Sequence, residues 1–177
     1  MVTIRLFEER DVVGIGRLIA DTYSQFNLSF LPEEQMGLFL GPFQHAYSDD
    51  PEHIEEIAKV VRSEIVLVAE TGDGTIVGVL RGRKERLASL FVRGDYQRQG
   101  IGRKLVERFE EENLKMGVTV IRLAATMYAV PFYAAMGYKR STGKRIGRSF
   151  EGHGLPNQPM RKVLDASQPV LLTETEL

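Results

Sequence analysis

Leu87-Ala88-Ser89-Leu90-Phe91-Val92 runs into Arg93-Gly94-Asp95-Tyr96, then into Gln97-Arg98-Gln99-Gly100-Ile101-Gly102-Arg103-Lys104, and on into a helical stretch from Leu105 to Leu114. The apolar run reads as a strand and the last segment as a helix, with Ile101, Leu105 and Phe109 at i, i+4 and i+8. A tight loop joins them. Its two glycines let backbone N–H groups approach an anion with no Cβ in the way. The helix start adds unpaired N–H donors and a positive dipole end. The stretch therefore reads as a phosphate cradle. A P-loop would need G-x-x-x-x-G-K-[ST], which is absent. A dinucleotide fingerprint would need a third glycine where Leu105 stands.

Outward from this stretch, the elements alternate. Val2–Phe7 predicts a strand and Glu9–Ser24 a helix. Residues 26–43 are apolar but irregular, broken by Pro32, Gly37, Gly41 and Pro42. A helix is expected from Pro51, an acceptable first helical position, to Ser63. Thr71-Gly72-Asp73-Gly74 predicts a hairpin between Ile65–Glu70 and Thr75–Arg83. Val118–Ala124, apolar apart from Arg122, predicts a central strand, and Pro131–Met136 a short helix. Tyr138–Arg140 and Met160–Leu164 predict the last two strands, with a polar loop around Glu151-Gly152-His153-Gly154-Leu155-Pro156 between them. The order βααβββαβαββ implies a mixed α/β sheet layered by helices. Residues 1–164 are expected to form one domain and 165–177 a polar tail.

The chain has no cysteine, which removes disulfides, thiolate metal sites and a cysteine acyl-enzyme. No apolar run approaches the ~20 residues of a membrane span. Arg5 and Glu8–Arg10 interrupt any signal-peptide core, so a cytoplasmic protein is expected. The net charge of −1 does not point to nucleic acid, but the charge is segregated. Residues 1–75 carry 5 basic and 14 acidic side chains, whereas residues 76–164 carry 18 basic and 7 acidic. The basic part contains the phosphate loop, as a polyphosphate ligand would favour.

A second motif lies about thirty residues on, Ala129-Val130-Pro131-Phe132-Tyr133-Ala134-Ala135-Met136-Gly137-Tyr138. Together the two segments resemble the signatures of the GNAT superfamily of N-acetyltransferases. These are a (Gln/Arg)-x-x-Gly-x-(Gly/Ala) loop after an apolar strand, and an Ala-x-x-(Phe/Leu)-Tyr-x-x-x-Gly-(Phe/Tyr) segment. The resemblance spans residues 2 to 164, the N-terminal third by element pattern only.

The resemblance implies an α/β fold with a central, mostly antiparallel sheet, a splayed parallel pair and flanking helices. It implies acetyl-CoA as co-substrate, with no metal. Gln97, Arg98, Gln99, Gly100, Ile101, Gly102 and Arg103 would hold the pyrophosphate. The main chain of Leu90, Phe91 and Val92 would pair with the pantetheine arm. Thr126 stands where the family often has a pantetheine-binding Asn, and Tyr128 would line the acyl pocket. Tyr133 is the candidate general acid, since a phenol of pKa about 10 can protonate a leaving thiolate. The family's carboxylate base aligns with Arg86, leaving Glu85 beside it as the candidate base and His153, His45 and Asp95 as alternatives.

The acceptor would be a small-molecule or peptide amine, attacking directly in a ternary complex. No nucleic acid or membrane partner is expected, and a homodimer is allowed. Asp49, Asp50, Glu52, Glu55 and Glu56 could attract a cationic acceptor, although a solvated helix face reads equally from them. Phe26, Phe30, Phe39, Phe43 and Tyr47 could line its pocket or simply form core. A non-catalytic acyl-CoA-binding module on the same fold is the alternative function.

Overall fold

Hairpin chemistry builds the first half of the sheet. In the computed structural model, which describes residues 1–148, 150 and 152–165, β1 (Val2–Leu6), β2 (Ile65–Thr71), β3 (Ile76–Arg83) and β4 (Arg86–Val92) pair antiparallel in that order. The Gly-Asp-Gly turn sits where expected, with Gly74 at φ +85. β5 (Val120–Thr126), β6 (Lys139–Arg140), β7 (Arg145–Arg148) and β8 (Gly154–Val163) complete the sheet. The strand order is β1-β2-β3-β4-β5-β8-β6, with β7 also on β8. Among the described residues only β4 and β5 run parallel.

Helices α1 (Val12–Phe26), α2 (Glu33–Leu40), α3 (Pro51–Val61), α4 (Ile101–Lys115) and α5 (Val130–Ala135) flank the sheet. Alternating strand residues divide the core in two. Leu67, Leu80, Leu87, Leu105, Phe109, Ile121, Leu123 and Tyr133 pack on the α4–α5 face. Ile15, Ile19, Tyr23, Ile57, Val66, Val68, Val79 and Phe91 pack on the α1–α3 face. The mostly antiparallel α/β sheet with one parallel pair agrees with the expected fold.

Two local expectations are corrected. The irregular 26–43 stretch contains α2: Pro32 is its N-cap, Glu33 and Glu34 occupy the first turn, and Gly37 is tolerated inside. The polar loop before the last strand is largely the β7–β8 hairpin, with Arg145 opposite Asn157 and Arg148 opposite Gly154. Exposed edge residues hid this strand, because a sheet edge carries charge rather than apolar alternation. β5 is central in order, as expected, and is buried on one face. Ile121, Leu123 and Ala125 are buried, whereas Arg122 and Ala124 are exposed. The tail expected over 165–177 lies, beyond Asp165, outside the described residues.

An ion-pair cluster ties β1 to the start of α1. Arg5 Nη1 and Nη2 donate to Asp11 at 2.7 and 2.8 Å, and its Nε donates to Glu70 at 2.7 Å. Burial pushes the Asp11 carboxyl upward, but hydrogen bonds from Arg5 and the Glu8 N–H together hold it below its ordinary value. A depressed carboxylate contributes stability above its unfolded pKa of about 3.9 and loses it as pH falls through the folded value. The melting temperature is therefore expected to drop between pH 6 and pH 3. Asp11→Asn should melt lower at pH 6 and lose less over that interval, as scanning calorimetry would read.

Candidate active site

β4 and β5 separate almost as soon as they meet. The single register pair is Arg86 with Arg122, and beyond it the β4 edge facing β5 has no ladder partner. A bulge helps set what β4 presents. Arg81 pairs with Ser89 and Gly82 with Leu87, which leaves Ala88 extra. The alternation shifts there, so Leu87, Leu90 and Val92 face the α4–α5 core and Phe91 the other.

The loop after β4 is held by its own side chains. Gln97 Nε2 donates to the Val92 carbonyl at 2.9 Å, and Gln99 Nε2 to the Asp95 carbonyl at 2.9 Å. Arg98 and Gly100 take left-handed φ of +62 and +83 before α4 begins at Ile101. Among the described residues, no N–H of residues 98–103 donates a hydrogen bond. These donors open on the positive end of a 15-residue helix. Arg98 and Arg103 are exposed there, Arg103 lying 3.8 Å from Glu107. Exposed Lys104 adds a cation that the motif did not single out. Gly100 owes its identity to φ, since a Cβ there would meet nothing within 4 Å. A Cβ on Gly102 would make ordinary contacts with Phe132 at 3.4 Å and Val92 at 3.7 Å. An anion with a strand-like arm fits this cradle and free edge.

Phe132 brings α5 against the start of α4, and Tyr133 follows it inward. Tyr133 is 5% exposed, with ring centroids 5.1 Å from Phe132 and 5.6 Å from Tyr138. Among the described residues its hydroxyl makes no hydrogen bond. Burial pushes its ionisation far above the phenol range, so it keeps its proton at neutral pH. Thr126 ends β5, its Oγ1 accepting from Asn27 Nδ2 at 3.0 Å. Tyr128, 57% exposed, stacks on Phe26 at 5.6 Å and donates to Gln97 Oε1 at 3.2 Å, so it spans from β5 to the loop.

The proposed bases do not gather at this wedge. Glu85 sits in the turn before β4, at the opposite end of the strand from the loop, 3.6 Å from Arg122. Asp95 is held by Arg93 at 2.7 Å, and that hydrogen bond lowers its carboxyl further. His45 stacks on His53 at 4.0 Å, and His153 meets the Phe39 ring at 5.4 Å. Among the described residues no hydrogen bond, ion pair or ring contact joins any of the four to Tyr133.

The aromatic residues suggested for the acceptor scatter. Phe43 is core at 1% exposure, Phe30 and Tyr47 are exposed, and Phe39 borders a recess of about 580 Å³ with Leu38, Arg148 and His153. In the acidic cluster, Asp50 caps α3 through the Glu52 N–H at 2.9 Å and Glu55 pairs with Arg62 at 2.9 Å. Sequence reasoning missed Phe150. Its ring centroid lies 4.7 Å from Phe43, 5.6 Å from Tyr23 and 5.8 Å from Phe91. A lone aromatic in a polar segment carries no signal of such a partnership.

A splayed parallel pair, a donor-rich loop at a helix start and a buried tyrosine beside it thus meet at one end of the sheet. The family described as acetyltransferase (GNAT) domain matches residues 32–164. The chain belongs to that family and is an acetyltransferase. Its fold is similar to a GCN5-related N-acetyltransferase from Rhodopseudomonas palustris, at TM-score 0.71 and 21% identity over 92% of this chain and 95% of that one. It is also similar to the PaiA N-acetyltransferase of Thermoplasma acidophilum in complex with coenzyme A, at TM-score 0.68 and 18% identity over 93% and 99%. A third likeness is the ribosomal-protein-S18-alanine N-acetyltransferase of Escherichia coli, at TM-score 0.61 and 18% identity over 97% and 99%. Among the described residues no helix is long and apolar enough to cross a membrane.

Proposed function

We propose that the protein is an acetyl-CoA-dependent N-acetyltransferase that modifies a primary amine of a small molecule or peptide by direct attack in a ternary complex. The observation that carries this reading is the run of undonated N–H groups at residues 98–103, set beside the unpaired edge of β4. A pyrophosphate satisfies such donors and a pantetheine amide arm satisfies such an edge. Gln97, Arg98, Gln99, Gly100, Ile101, Gly102 and Arg103 hold the first. The main chain of Leu90, Phe91 and Val92, with Thr126, borders the second.

The neutral amine attacks the thioester carbonyl. The C–N bond forms, the C–S bond breaks, and the Tyr133 hydroxyl protonates the departing sulfur. Solvent takes the amine's proton and restores that of Tyr133. This scheme gives Glu85 no role, since among the described residues no hydrogen bond, ion pair or ring contact joins it to Tyr133.

A broad panel of amines with free-thiol release as readout tests the reading. Release with at least one amine is the expected result, and acetyl-CoA binding without release from any would leave a binding module. The cradle has its own test. Gly100→Ala forces a Cβ into the left-handed region at about 1–2 kcal/mol and should weaken acetyl-CoA binding by roughly tenfold. Gly102→Ala should bind within about twofold of the parent, since its Cβ finds ordinary contacts. Titration calorimetry distinguishes the two.

A further inference from the structure

The row of the sheet that reaches the wedge on the α1–α3 face carries a cation that makes no ion pair among the described residues. Val66 of β2 pairs with Arg81 of β3, and Arg81 pairs with Ser89 of β4. Val66 and Val79 belong to the α1–α3 core, and two-residue alternation puts Arg81 on their face. Ser89 lies two residues before Phe91 and beyond the bulge, so it also faces this side. Next in line across the splay is β5, whose Arg122 and Ala124 are exposed on that same face.

Arg81 is half-buried, and among the described residues it makes no ion pair. Its Nε donates to the Val61 carbonyl at 3.2 Å, its Nη2 to the Val60 carbonyl, and its Nη1 to Ser89 Oγ at 3.3 Å. Those bonds use three of the five guanidinium N–H groups, leaving two. The Phe150 ring lies 6.0 Å from the guanidinium carbon, and that ring also meets Tyr23 and Phe91. Burial lowers the ionisation of Arg81 to about 10, so it remains charged at neutral pH. A cation withdrawn from water without a counter-charge is costly, and a ligand carboxylate would relieve that cost.

We propose that Arg81, with Ser89, is the carboxylate-recognising group of the acceptor site, and that the acceptor is a small amine bearing a carboxylate. The proposal rests on the N-acetyltransferase reading and names its substrate class. Arg81 stands one strand spacing, about 4.8 Å, inside the β4 edge. The carboxylate must then lie within a few bonds of the amine, as in an amino acid. The half-buried Phe150 ring beside the guanidinium favours an apolar side chain on that acceptor. A polyamine would bring a second cation to Arg81 and be disfavoured.

The test compares matched amines that differ only by the carboxylate: phenylalanine against phenethylamine, leucine against isoamylamine, lysine against cadaverine. kcat/KM is read from thiol release with the full chain. The expected result is a preference for the carboxylate member of about 10- to 100-fold, the worth of a charge-assisted hydrogen bond. Arg81→Gln should collapse that ratio by lowering kcat/KM for the carboxylate member about 10- to 100-fold, with acetyl-CoA affinity within about threefold. Because Arg81 also caps α3, Arg81→Lys serves as the second variant, and the wild-type ratio needs no variant at all. Equal use of both members by wild type would overturn the proposal and leave the acetyltransferase reading standing. So would an equal loss for both members in the variants, which marks a capping role only. No release from any amine would overturn both.

Discussion

Tyr133→Phe is expected to lower kcat by about 100-fold, the lower range of a lost general acid, with little change in the KM for acetyl-CoA. Two features of the site set this expectation. The phenol is buried, and burial raises its ionisation, so its proton is present at neutral pH. The hydroxyl has no hydrogen-bond partner among the described residues, so removing it breaks no structural bond. Deleting a hydroxyl that holds no protein partner costs the fold little. The variant should therefore melt within about 1 °C of the parent or above it. A kinetic loss without a stability loss separates a catalytic from a packing role. The pH profile offers a second check. With an amine of pKa about 10, wild-type turnover should rise with pH, with no falling limb from Tyr133 through pH 9. Unchanged kcat in Tyr133→Phe would remove the acid role.

The donor side of this site was legible and the acceptor side was not, for different physical reasons. Gly100 at φ +83, the strand before it and the i, i+4, i+8 face of α4 are local features, and each leaves a trace within a few residues. The Ala129–Tyr138 segment is similarly local. Arg81 looks in sequence like any polar residue of a hairpin strand. Its setting depends on the end of α3, on Ser89 across a bulge, and on Phe150 from a distant loop. Glu85 is a different case. Its place one residue before β4 suggested a base, and the seven-residue strand sets its carboxylate at the far end of β4 from the loop. The missed β7 and α2 have charged or weakly amphipathic sequences, because an edge strand and a half-exposed helix bury too little to impose a period.

Phe109→Ala should destabilise the fold by about 3–5 kcal/mol, the range for emptying a buried aromatic site. Phe109 is fully buried on the inner face of α4, in the core that Leu67, Leu80, Leu87, Leu105 and Ile121 share. Its ring lies over Gly82, where a Cβ would stand 2.6 Å from one ring carbon. Glycine at 82 therefore gives α4 close approach to β3, which in turn supports β4 and the splay. A chain of this length should lose roughly 2–4 °C of melting temperature per kcal/mol. In urea, the midpoint should fall with the slope unchanged. Gly82→Ala alone should cost about 1–3 kcal/mol by overpacking. In the double variant the added methyl enters the space that the ring vacated, so the two losses should sum to less than their separate values. Relief is only partial, because the Arg86 carbonyl oxygen also lies 2.7 Å from that Cβ position. Strict additivity in the cycle would show that Phe109 and Gly82 do not share this contact.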